Sequence, residues 1–241
     1  MQDILSDFVS GGFYVTRFVE RPAYVAQDML PSRILSMSSC ISPFVPDTWA
    51  IEWACDKQEE RLEKAEKFGL SNDIKEVVSW VTSRFDKEIG WPNVCYSLNT
   101  AEALRREFLL KTTDVVILGV GLHKSYAEKF LDFTKPPAQQ PGHAPVGESG
   151  LRSCIRKGRS INKGEFLGFE LLVTGGAGGS LEDSWLCNGL EKEAHTKLGI
   201  RLNLNGFIDR HEDARKFVEY ISSGAVGAEP GLWLPWAILR Y

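Results

Sequence analysis

A chain of 241 residues that is 43% hydrophobic and 25% charged can bury a core, which excludes disorder throughout. Its formal net charge of −4 argues against a nucleic-acid-binding body, which carries a basic face. No apolar run approaches the ~20 residues that span a bilayer; residues 1–7 are acidic, unlike a secretory signal; and five cysteines, odd in number and without a CxxC, indicate reduced thiols in a cytoplasmic setting.

Residues 13–19 and 33–38 read as short strands, and 48–54 alternates with Trp49, Ile51 and Trp53 on one face. The charged stretch 57–68 suits a solvated helix laced by i,i+4 pairs such as Glu60–Lys64. With Asn72 as its cap, the next helix carries Ile74, Val77, Val78, Val81 and Phe85 as one core-facing stripe. Asn99 and Glu102 form a capping pair for a helix running through Leu110. Residues 114–121 (DVVILGVG) are the unbroken apolar run of a strand buried on both faces, and a helix over 123–133 follows.

Residues 134–164 break this rhythm. They hold Pro136, Pro137, Pro141 and Pro145 and a charge of +5, between blocks of −5 (1–133) and −4 (165–241). So long a stretch without periodicity reads as a flexible basic loop, a lid or a binding segment. A strand then covers 166–174, followed by the glycine cluster Gly175, Gly176, Gly178 and Gly179. Asp183 or Ser184 caps a helix to Leu198, on which Asp183, Cys187, Glu191 and His195 form a slanted polar stripe. A short strand near 201–204, a helix over 211–222 and a terminal strand over 232–241 complete the chain. Pro235 removes a ladder donor, so that last strand belongs at an edge or carries a bulge. The irregular mixture of elements predicts an α+β fold, a mixed β-sheet with flanking helices, in one domain. Two lobes, 1–133 and 165–241, joined by 134–164 are the alternative.

No motif fixes a reaction. The glycine cluster has the strand and the turn of a phosphate cradle, with Gly178, Gly179, Ser180 and Ser184 as candidate donors, but it matches neither GxxxxGK[ST] nor GxGxxG, and Glu182 and Asp183 place negative charge where a phosphate would sit. Gly119 and Gly121 form a second strand-to-helix turn, again without the third glycine. Cys187 and His195, eight residues apart on one helix, are ~12 Å apart along its axis, too far for a nucleophile–base pair. Four scattered histidines without HExxH, and no GxSxG, supply no metal set or serine elbow. No cofactor is expected.

The basic run Arg152, Arg156, Lys157, Arg159 and Lys163 has no acid between Ser149 and Gly164. It suits contact with the acidic body or with an acidic protein partner; without interleaved aromatics to stack on bases it does not suit nucleic acid. Trp233 and Trp236 read as core or as a hydrophobic interaction surface. The expectation is therefore a cytoplasmic, non-enzymatic binding or inhibitory protein acting by surface complementarity. Bacterial immunity proteins, which neutralise a toxin by binding it, are often acidic globular chains of this kind, an analogy of class with no motif behind it. The alternative is an enzyme that holds a small anionic substrate at 175–180, with 134–164 as a lid closing through Arg156 or Arg159.

Overall fold

The computed structural model describes residues 5–26, 28–45, 70, 74–92, 94–138, 147–161, 163–175, 179–224 and 227–241. The expected strand 48–54, the charged helix 57–68, Asn72, Gly176 and Gly178 lie outside these residues. No helix among the described residues is long and apolar enough to cross a membrane.

The fold is α+β, built on one curled sheet. Its strands are β1 (Phe8–Arg17), β4 (Phe44–Val45), β5 (Ile89–Gly90), β6 (Val94–Cys95), β7 (Val115–His123), β8 (Glu165–Thr174), β9 (Leu181–Ser184) and β10 (Leu232–Arg240), in the order β5-β6-β1-β7-β10-β8-β9 with β4 also on β1. A small ribbon pairs β2 (Val19–Glu20) with β3 (Arg33–Ile34). The expected sheet was mixed, whereas every strand pairing among the described residues is antiparallel. The helices are α1 (Ile74–Arg84), α2 (Leu98–Phe108), α3 (Lys124–Phe133), α4 (Gly150–Lys157), α5 (Glu191–Leu198) and α6 (His211–Ser222).

Alternation along the central strands sorts the core. Trp233, Ala237 and Leu239 of β10 pack with Trp185 and with Phe217 of α6, while Leu234, Trp236 and Ile238 pack with Phe130 of α3 and Leu151 of α4. A third cluster joins Val77 and Val81 of α1 to Ala101 and Leu104 of α2 and Ile117 of β7. Val77, Val78 and Val81 of the expected α1 stripe and the doubly buried β7 are thus as the periodicity predicts, whereas Phe85 lies just beyond the helix and is half-buried.

Several elements differ from expectation. Residues 150–157, inside the segment read as a flexible loop, form α4. Leu151, Cys154 and Ile155 at i, i+3 and i+4 give it a buried stripe, the Ser149 hydroxyl accepts from the Arg152 N–H, and Gly158 closes it in the left-handed region at φ 62°. Eight residues are too few for periodicity to stand out beside so many prolines. Residues 183–198 are not one helix: 181–184 pair with β8 as a hairpin strand, a turn follows, and α5 begins only at Glu191. The Asp183–His195 stripe therefore does not exist. Leu202 makes only a bridge to Ile208 in place of a strand. β10 is central rather than an edge strand, and the bulge in its pairing with β8 falls at Ile238/Leu239, away from Pro235. Pro235 is accommodated because pairing with β7 begins at Trp236, so its missing donor interrupts no pair on that side.

Candidate anion-binding cleft

The basic run meets the rest of the protein at a cleft of about 320 Å³. Three local features build it. β1 bulges between Ser10 and Phe13, where Gly12 sits at φ 99° and a side chain would run into Val94; the bulge brings Ser10 and Phe13 to the cleft wall. Beyond Gly158 the chain runs back along β1, the Arg159 carbonyl accepting from the Ser10 N–H at 2.8 Å and Ser160 bridging to Val9. Opposite, α2 begins at the cleft: the Ser97 hydroxyl accepts from the Thr100 N–H at 3.2 Å, and first-turn residues Leu98 and Asn99 line the wall. Their amides have no acceptor within a helix that starts there, and the helix dipole adds partial positive charge.

Two side chains add full positive charge. Lys157 and Arg159 both line the cleft and are exposed, and no carboxylate lies in its lining. The Lys157 ammonium sits 4.3 Å above the centre of the Tyr96 ring, a cation–π contact that holds it at the rim. Among the described residues neither cation makes an ion pair, and Lys163 is also exposed without one. Burial pushes the Cys154 thiol up to about 11, against the pull of Lys157 and Arg159. That thiol is protonated at neutral pH, so the cleft wall holds no anion of its own.

The other expected site residues are elsewhere. Arg152 is nearly buried and spent internally: it donates to the Leu131 carbonyl and, at 2.8 Å, to the Thr134 hydroxyl, and pairs with Glu148 at 3.4 Å. Arg156 clamps the same Glu148 at 3.0 and 2.8 Å, which holds that carboxyl below its usual range. Gly179 packs on Thr134 at the opposite end of α4, its carbonyl accepting from the Ser149 hydroxyl at 2.9 Å. Ser184 is fully buried, its hydroxyl accepting from the Leu186 N–H and bonding to the Glu170 carboxyl, and neither it, Ser180 nor Gly179 lines the cleft. Arg159 thus shares no cleft with Gly179, Ser180 or Ser184. Trp233 and Trp236 are 4% and 0% exposed on opposite faces of β10, so they are core and offer no surface.

Tyr96, Ser97 and Asn99 were missed. The sequence signal was present, since Ser97 with Thr100 is a hydroxyl cap two residues before the Asn99 cap expected from the residue types. No protein-family model matches the chain, and neither a curated protein nor a solved structure is significantly similar to it.

Proposed function

We propose that this chain is a binding protein that engages an acidic protein partner through its basic face, a partner carboxylate entering the Tyr96–Lys157–Arg159 cleft. One observation carries the reading: Lys157 and Arg159 border a concave site beside the N-terminus of α2, with no carboxylate in its lining and no ion pair to either cation among the described residues. The inhibitory role and the cytoplasmic setting expected from the sequence belong to the same proposal.

The test is titration of a poly-glutamate peptide into the wild type and into Lys157→Ala/Arg159→Ala. The double variant should bind roughly tenfold more weakly or worse, and the wild-type affinity should fall with added salt. Arg156→Ala, which leaves Glu148 paired with Arg152, should change binding little. Equal binding by wild type and double variant would refute the reading. The enclosed volume and the Leu98 and Asn99 amides favour a second reading, a small anion held by the cleft itself. Inorganic phosphate that binds where the peptide does not would select it.

A further inference from the structure

At the opposite edge of the sheet, three side chains from separate segments converge. Cys40 lies in the loop after β3, Asp183 on β9 and Cys187 in the turn that follows; their ligand atoms all lie within 4.8 Å of one another. The Cys40 thiol donates to Asp183 Oδ1 at 3.0 Å, across 143 residues of sequence. From this convergence we propose that Cys40, Asp183 and Cys187 form a binding site for a thiophilic divalent cation, zinc foremost, with water completing four-coordination.

Geometry supports the assignment. A tetrahedral zinc with sulfur ligands at about 2.3 Å sets its thiolates roughly 3.8 Å apart, so closure on an ion needs a shift of about 1 Å or less. Two sulfurs with a single carboxylate select zinc over magnesium or calcium, which take oxygen ligands. The ligands are also held from behind. The fully buried Ser38 hydroxyl donates to the Glu182 carbonyl at 2.9 Å, accepts from the Cys40 N–H at 3.2 Å and lies 3.3 Å from Cys187 Sγ. One hydroxyl thereby joins all three ligand-bearing segments, the role that outer-shell groups play at metal centres. Cys187 is fixed further by its N–H bonding to the Ser184 carbonyl at 2.8 Å.

On binding, both S–H bonds break heterolytically, each electron pair stays on sulfur as a donor pair, and two protons pass to solvent.

Cobalt(II) titration of the reduced full-length chain tests the site, since thiolate-to-cobalt charge transfer is visible and distinguishes sulfur ligands. One cobalt per chain is expected, with tetrahedral d–d bands, two protons released, and displacement by one equivalent of zinc. Cys40→Ser and Cys187→Ser should each abolish the two-thiolate spectrum, while Cys154→Ser, in the remote cleft, should leave it unchanged. Ser38→Ala should keep the band shape but weaken binding roughly 10- to 100-fold. No charge-transfer band in the reduced wild type overturns the proposal, as does a band indifferent to Cys40→Ser and Cys187→Ser. Cross-linking of Cys40 to Cys187 on oxidation, in a chain whose reduced form binds no cobalt, overturns it equally.

Discussion

At the scale of single residues, Glu170 is the strongest departure from the rule that charge stays outside. Its carboxyl is fully buried on β8, between the Ser36 hydroxyl at 2.5 Å and the Met37 N–H at 2.8 Å, yet burial outweighs these donors and pushes it up to about 7. The folded protein therefore keeps a proton there up to about pH 7, whereas the unfolded carboxyl releases it near 4.5. Between those values the folded state binds more protons, so this group's contribution to stability is complete below pH 4.5 and is lost as pH rises through 7. The loss is on the order of 3 kcal/mol at most. Urea denaturation from pH 4.5 to 8 should show this downward trend in the wild type, and Glu170→Gln should flatten it. A trend that survives the substitution would assign it to other groups. The sequence marks Glu170 only as a polar residue inside an apolar strand; its donors, Ser36 and Met37 in the loop after β3 and Ser184 on β9, are brought to it only by the fold.

At the scale of elements, α4 depends on its first residues more than on its length. Ser149 both caps the helix through the Arg152 N–H and donates to the Gly179 carbonyl, so Ser149→Ala removes a cap and leaves a buried carbonyl short of a donor. A loss of about 2 kcal/mol is expected in chemical denaturation; a loss no larger than that of an exposed serine would show that the helix is held by Leu151 and Ile155 alone. Legibility in the sequence followed the strength of local pattern. The Val77–Val81 stripe, the apolar run of β7 and the helix from His211 to Ser222 were all readable, because each satisfies its own period over several turns or residues. Residues 181–184 were not, because pairing with β8 overrides a sequence that locally resembles a helix start. The basic run was legible as charge but not as roles. Glu148 lies four residues before Arg152, a spacing at which side chains meet, but its bond to Arg156, eight residues on, comes only with the folded turn before α4.

At the scale of the molecule, the two proposed sites occupy opposite edges of one sheet, the cleft beside β1 and β6 and the thiol cluster beside β9. Cobalt bound at the cluster should therefore leave the affinity for poly-glutamate unchanged, and a shift in that affinity would reveal coupling through the strands between them. The same strand order has a bearing on how the protein comes into being. β10 fills the slot between β7 and β8, yet it is made after both. While the ribosome is still translating the residues before Leu232, β7 and β8 each present an unmatched edge of buried apolar sequence, the arrangement that invites strands of neighbouring chains. A fragment ending at residue 230 should accordingly collect in the insoluble fraction and show no cooperative transition, and adding residues 231–241 should restore both solubility and folding. For this protein the hazardous interval of synthesis ends only when a single proline-bearing strand arrives to close the gap.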